Sequence, residues 1–262
     1  MLWIDHFGGN AAIGYISGRE GGVSAPPFAS KNVGLHVGDD PAAVLENRRR
    51  VAAHLGVQPE RVVYAEQVHG NRVAAVRRRH AGRGAHNCAD AMPGVDALVT
   101  RDRGVVLAVL AADCLPVLLV DPDAGVLGAA HAGWRGAAAG VVVETVRAMT
   151  ALGARIERIE AAFGPAIRGC CYEVDEPVLR AVRRSYELAA PGRRTLFAAS
   201  PAHPDRIMLD LPALCKDQLL SLGVREAGVV DVSICTHCMQ GYFSHRRENG
   251  RTGRQGAYAA LL

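Results

Sequence analysis

A chain of 262 residues with 49% hydrophobic and 21% charged residues can bury a sizeable core and is too apolar to remain disordered. A formal net charge of +4 excludes a purely electrostatic case for nucleic-acid binding, and the arginine runs at Arg48 to Arg50 and Arg77 to Arg79 read as solvated faces. The most apolar window, residues 105–120, contains Asp113 and Pro116 and falls short of the roughly 18 apolar residues of a spanning helix, so it reads as core and not membrane.

The opening MLWIDHFGGN lacks the basic and apolar regions of a secretory signal, and the seven cysteines follow no framework spacing. Reduced thiols in a cytoplasmic protein are expected.

In chain order the first strand is AAIGYIS (residues 11–17), followed by GREGGVSAPPFASKN, a loop long enough to carry function. GDDPAAVLENRRRVAAHLG reads as a helix, with Pro41 at its first position, Val44, Leu45, Val51 and Leu55 near helical spacing, and Gly56 as its stop. Strand-like runs RVVYAEQ (61–67) and RVAAVR (72–77) flank VHGN, and a glycine-rich arm (80–94) leads to the strand VDALVT. Three apolar strands follow, VVLAVLAA, LPVLLV and VLGAAH, the last two joined by the turn DPDAG. AAAGVVVETVRAMTALG is expected as one helix with Val142, Val146 and Met149 on one face and Gly153 as its stop.

RIERIEAAFGP then gives a strand, GCCYEVD a loop, and DEPVLRAVRRSYEL and LDLPALCKDQLLSLG two helices. VVDVSI is a late strand, and the segment from Cys235 to Leu262 supplies loops and a final strand. No repeat or linker marks a boundary, so residues 1–262 are expected as a single domain. The mixture of hairpins and crossovers points to an α+β layered sandwich of mixed β-sheets flanked by helices. Neither GxGxxG nor GxxxxGKS/T follows a strand, so no nucleotide cradle is indicated.

Three metal-competent side chains stand at strand ends or beside turns: His69 in EQVHG, Cys114 in AADCLP and His131 in AAHAGW. Two imidazoles and a thiolate suit Zn²⁺ with an open fourth position, and copper would also accept them. Their separations of 45 and 17 residues match no finger or ribbon, so spacing alone leaves open two core histidines and an inert buried cysteine. Cys235-x-x-Cys238 resembles half a zinc ribbon or a redox pair. With no second CxxC the sequence favours a packed, reduced pair, and it gives Cys170 and Cys171 no chemistry.

The stretches KNVGLHVGDDPAAVLENR, EQVHG, ADCLPVLL, HAGWRG, CCYEVD and FSHRR followed by GRTGRQ occur in one order from about residue 30 to the C-terminus. In these the chain resembles the YfiH-type laccase-domain family, purine nucleoside phosphorylases formerly described as multi-copper polyphenol oxidases. The resemblance implies a single-domain α+β sandwich with a His-Cys-His metal set matching His69, Cys114 and His131. Zinc is the implied metal and copper the alternative. The implied activity cleaves adenosine, inosine and methylthioadenosine with phosphate to the free base and (methylthio)ribose 1-phosphate, with adenosine deaminase activity beside it. Partners are then small nucleosides and phosphate, without nucleic acid or membrane. The family usually reads Ile-Gly-Pro-Cys-Cys-Tyr-Glu-Val where this chain has Ile167-Arg168-Gly169-Cys170-Cys171-Tyr172-Glu173-Val174, so a turn-stiffening proline is missing.

For that chemistry Arg135, Arg48, Arg246 and Arg247 are the phosphate candidates, because guanidinium forks bind phosphate in two places; structural ion pairs are their alternative role. Asp113 and Glu173 are the carboxyl candidates for moving a proton. Asn32 can reach a ribose hydroxyl or phosphate, or cap its loop, and Trp134 or Tyr172 can stack on a purine or pack in a loop. Gly133 and Gly136 are expected to turn the chain sharply after His131. Two other classes compete. A copper oxidase of phenols is weakened because none of the ten histidines forms an HxH pair. A hydrolase would use Cys114 as nucleophile and His131 or His69 as base on amide bonds of cell-wall precursors.

Overall fold

The apolar runs at the centre of the chain become strands buried on both faces, which is why they read as continuous and not alternating hydrophobic sequence. In the computed structural model, which describes residues 2–4, 7–189, 196–203 and 205–262, the chain begins with β1 (Leu2–Trp3), β2 (Ala12–Ile16) and helix α1 (Pro41–His54). Strands β3 (Val62–Tyr64), β4 (Val73–Val76), β5 (Ala97–Thr100), β6 (Val106–Ala111), β7 (Leu115–Asp121) and β8 (Val126–Ala132) follow. Helices α2 (Trp134–Ala138) and α3 (Val141–Ala151) precede β9 (Glu160–Phe163), β10 (Glu173–Val174) and α4 (Glu176–Ala189). The last elements are β11 (Phe197–Ala199), β12 (Ile207–Leu209), α5 (Leu211–Leu222), β13 (Val229–Asp231) and β14 (Gln255–Leu261).

The architecture is the expected α+β layered sandwich. A five-stranded mixed sheet runs β1-β2-β14-β6-β3, and a six-stranded mixed sheet runs β13-β9-β7-β8-β5-β4. A small antiparallel sheet, β10-β12-β11, stands apart from both. Side chains alternate along β7 and β8. Leu118, Val120, Leu127 and Ala129 enter a core shared with Leu107, Val109 and Ala257 of the facing sheet. Leu115, Val117, Val126 and Ala130 enter a second core with Val142, Val146 and Met149 of α3 and Leu214 and Leu219 of α5. Tyr15, Ala108 and Tyr258 meet Val51 and Leu55 of α1 and its end in a third. The layers are therefore helix, sheet, sheet, helices, and each buried Leu or Val contributes about 1.5–3 kcal/mol.

This alternation aims the chemistry. His131 shares the parity of Leu127 and Ala129, and Cys114 that of Leu118 and Val120, so both face the space between the two large sheets at one end of their strands. The register sets Pro116 opposite His131, which makes Cys114 its diagonal neighbour on the same face.

Some elements differ from the sequence reading. The single helix expected over 137–153 is two helices, because Gly140 adopts a left-handed φ of 79° between them. The strand expected over 61–67 ends at Tyr64, where its ladder with β6 ends, and Glu66 bonds instead to Met92 and Val95. The loop GCCYEVD contains β10, which finds its partner in β12, a strand too short to show a period of its own.

Candidate metal and substrate site

His69 lies in the turn between β3 and β4 with a φ of 61°, a left-handed conformation that a non-glycine residue holds only when its surroundings fix it. The fixing group is Asp96, fully buried just before β5. Its carboxylate accepts the backbone N–H groups of Val68 (3.1 Å), His69 (2.9 Å) and Gly70 (2.7 Å). Nδ1 of His131 lies 2.9 Å from the same carboxylate. A proton held there by Asp96 leaves Nε2 of His131 as the free ligand atom. One aspartate therefore shapes the His69 turn and orients the His131 ring.

The sulfur of Cys114 lies 3.9 Å from Nε2 of His69, and the two imidazoles meet edge to face with centroids 4.9 Å apart. Ligand atoms of all three residues lie within 4.8 Å of one another. A tetrahedral zinc with S at about 2.3 Å and N at about 2.0 Å would set those atoms about 3.3–3.5 Å apart, so small side-chain movements close the set. His131 is buried, Cys114 half-buried and His69 exposed, which leaves one side of the trio open. Burial alone would raise the Cys114 thiol, but the His131 and His69 imidazoles pull it down to about 6. Burial would likewise lower His131, yet the facing Cys114 sulfur and the Asp96 carboxylate raise it to about 9. The donor set is that of a thiolate held between two imidazoles, which fits a divalent cation with a vacant fourth position.

Gly133 has an ordinary φ of −74°, so the sharp turn expected of it gives way to another reason for glycine. A Cβ there would lie 2.8 Å from the His69 ring and 3.0 Å from the Cys114 sulfur. At Gly136 a Cβ would lie 2.7 Å from the Gly70 carbonyl oxygen. Both glycines permit close approach of HAGWRG to the metal trio.

The remaining expected residues divide into two groups. Arg135 and Arg246 are exposed and lie in charge reach of the Tyr172 hydroxyl. Arg246 stacks over the Tyr172 ring at 5.3 Å with one Nη1 on the Glu173 carbonyl (2.8 Å), and Arg135 stacks over Trp134 at 4.3 Å. Burial and the facing Cys114 charge push the Tyr172 phenol well up, so it remains a donor.

The other candidates are engaged in the frame. Arg48 is buried, donates to the carbonyls of Val33 (2.8 Å), Gly84 and Ala85 (2.8 Å), and lies 3.9 Å over Tyr64. Arg247 donates to the carbonyls of Thr236, His237 (3.0 Å) and Tyr242 (2.7 Å), which clamps that loop and leaves no open fork for phosphate. Asn32 is buried with both amide groups used: it accepts from Gly34 N (2.9 Å) and Arg254 N (2.8 Å) and donates to Asp39 (2.9 Å). Asp113 accepts from the Thr236 hydroxyl (2.6 Å) and the Arg246 amide (2.7 Å), so both of its oxygens are engaged in tying SHRR to the segment that carries Cys114. The Glu173 carboxylate turns to Ser200 (2.5 Å), His203 (2.7 Å) and Arg206 (3.2 Å), which hold it ionised down to about 2.

Three residues at the site had no reading in the sequence. Asp96 is the second residue of VDALVT, where an acidic residue before a strand reads as a turn. Arg254 belongs to GRTGRQ; burial lowers its guanidinium, and the negative charges of Cys114 and Asp113 that it faces oppose this. His36 in GLHVG is lowered to about 4 by partial burial of its ring and by Arg254 and Arg48, so it faces His131 and His69 as a neutral ring.

The sequence matches the family described as multi-copper polyphenol oxidoreductase laccase over residues 14–262. It is 42% identical over 251 residues to the purine nucleoside phosphorylase YlmD of Geobacillus stearothermophilus, covering 94% of this chain and 89% of that one. A purine nucleoside phosphorylase of Streptomyces griseus, ORF3, is 46% identical over 243 residues, with 93% and 92% covered. The crystal structure of the Geobacillus stearothermophilus YlmD superposes with a TM-score of 0.91 at 41% identity, over 96% of this chain and 92% of that one. A hypothetical protein YfiH of Bacillus licheniformis gives 0.91 at 33% identity, over 96% and 93%.

Proposed function

The chain belongs to the multi-copper polyphenol oxidoreductase laccase family, and from that premise we propose that it is a purine nucleoside phosphorylase acting on adenosine, inosine and methylthioadenosine. The observation that carries the reading is the His69-Cys114-His131 trio with His69 exposed, together with Tyr172 and Arg254 in charge reach of Cys114 and with Arg135 and Arg246 in charge reach of Tyr172. A purine nucleoside and a phosphate dianion need an aromatic face and guanidinium forks together.

His69, Cys114 and His131 would hold zinc, with copper as the competing occupant, and the bound ion would supply Lewis acidity toward a substrate oxygen. Arg246 and Arg135 would clamp phosphate beside the sugar. An oxygen of the phosphate forms a bond to C1′ as the C1′–N9 bond breaks, the electron pair leaves on N9, and a proton from solvent neutralises the departing base. The Tyr172 ring gives the purine a stacking surface, and Arg254 offsets the negative charge gathered near Cys114. Deamination of adenosine needs a carboxyl to move a proton. Asp113 and Glu173 are both held by other partners, so the reading assigns that step to neither, and ammonia release is a separate assay.

One observation favours a second reading. Cys114, His131 and Asp96 form the thiol, base and orienting carboxylate of a cysteine hydrolase. The position of His69 on the same sulfur is what favours a metal over a bare nucleophile. We take residues 1–262 as one catalytic domain, supported by the pairing of β2 with β14 from the two ends of the chain. A cytoplasmic setting suits a thiolate ligand that must stay reduced. No helix among the described residues is long and apolar enough to cross a membrane.

The test incubates metal-quantified protein with inosine and phosphate and follows hypoxanthine and ribose 1-phosphate, with a phenol and an amide substrate in parallel. Phosphate-dependent formation of both products, lost in Cys114→Ala, is expected. Oxidation of the phenol or cleavage of the amide without either product overturns the reading.

A further inference from the structure

Away from the trio, the fold gathers four thiols that the sequence kept apart. We propose that Cys170, Cys171, Cys235 and Cys238 form a second zinc site, closed and structural, which ties the Tyr172 loop to the Arg246 loop. The four sulfurs lie within 4.8 Å of one another, with Cys171 and Cys238 at 3.4 Å and Cys170 and Cys238 at 3.9 Å. Thiolates at about 2.3 Å from a tetrahedral zinc lie about 3.8 Å apart, so the observed spread brackets that of a mononuclear site. An iron–sulfur cluster would hold its thiolates farther apart, with iron and sulfide between them.

The surroundings suit anionic sulfur. Cys235 accepts the backbone N–H groups of Cys238 and Arg168, donors that stabilise a thiolate. Four thiolates this close together need a cation among them to offset their mutual repulsion. The nearby Arg168 guanidinium cannot supply the missing charge, because it is paired with Asp231 (2.7 Å).

The cluster sits where two loops meet. Ala166 bridges Cys235 in parallel, and Thr236 N bonds to the Ala166 carbonyl (3.0 Å). Beyond the cysteines, Tyr172 follows one pair and Thr236 lies within the other, bound to Asp113 beside Cys114. A metal here would cross-link the turn that lacks its stiffening proline, and so hold the wall of the substrate site.

The experiment measures metal content of reduced, zinc-replete wild type, Cys114→Ala and Cys238→Ser, and the absorption of their Co²⁺ forms. We expect about two zinc ions per chain in wild type and about one in each variant. The Co²⁺ form of Cys114→Ala should show the intense sulfur-to-metal absorption of a four-thiolate site. Because Cys114→Ala leaves the four cysteines intact, that measurement stands even if Cys238→Ser fails to fold. One zinc in wild type, kept by Cys114→Ala and lost by Cys238→Ser, would support this site while removing the metal from the trio. A zinc-free Cys114→Ala, two zinc ions in Cys238→Ser, iron in the wild type, or disulfides among the four cysteines after thiol blocking would each overturn it.

Discussion

Two thiol clusters occupy this fold, and they differ in the company each sulfur keeps. Cys114 shares its cluster with two imidazoles, one oriented by a buried carboxylate, and its thiol is pulled down to about 6 against its burial. Cys170 and Cys171 share theirs with other sulfurs, and burial plus those neighbours push both upward. The first set joins three metal-competent side chains of two kinds, with Arg254 in charge reach of its sulfur; the second joins four sulfurs, beside an Arg168 that is paired with Asp231. Open coordination with a mixed donor set suits chemistry, whereas four thiolates suit a frame. The same residue type is thus shifted in opposite directions by its neighbours.

The largest expected effect breaks the first cluster. Cys114→Ala removes the anionic ligand of a cation whose Lewis acidity is worth several kcal/mol, so kcat/KM for inosine phosphorolysis should fall roughly a thousandfold or more. The melting temperature should change far less. A variant that retained most of its activity would show that the trio is no metal centre.

Asp96→Asn sharpens the comparison next. An amide cannot accept all four hydrogen bonds that the carboxylate now takes from Val68, His69, Gly70 and His131. Metal affinity at the trio should weaken about 10–100-fold, read by competition with a chromogenic chelator. The four-cysteine site should be unaffected. Gly133→Ala acts on the same cluster by crowding, since its Cβ would meet the His69 ring and the Cys114 sulfur. About 1–3 kcal/mol of overpacking is expected in a denaturant titration, together with weaker metal binding.

What the sequence made legible follows from how local each signal is. The buried strands β6, β7 and β8 stand out because burial on both faces writes an unbroken apolar run, and α1 because Pro41 and its Asp40 cap mark a start. The His-Cys-His set was legible through motif order, and the register of β7 with β8 gives it physical sense. The four-cysteine cluster was not legible, because a search for a second CxxC passes over adjacent cysteines. The parallel pairing of β9 with β13 brings the two segments side by side, and this is a tertiary fact. Arg48 and Arg247 were misleading for a related reason: a guanidinium fork fits backbone carbonyls as well as phosphate, and only the fold decides which it meets. Asp96 escaped notice because its three amide partners come from a turn more than twenty residues earlier.

The smallest expected effect falls on the segment between the two clusters. Glu173 follows Tyr172 and stands two residues past Cys171, with its carboxylate on Ser200, His203 and Arg206 and its carbonyl on Arg246. Those partners hold it down to about 2. A depressed carboxylate stabilises the fold fully above its unfolded value of 4.5 and loses that contribution only as pH falls toward about 2. Between pH 5 and pH 8 Glu173 therefore keeps one charge state and adds no limb to the rate profile. Glu173→Gln keeps the backbone carbonyl under Arg246 and removes only the half-buried charge held by Ser200, His203 and Arg206, so kcat/KM should stay within roughly twofold of wild type. A tenfold loss with a moved acid limb would instead put the carboxylate on the substrate. The segment would then belong to the chemistry of the first cluster and not to the frame held by the second.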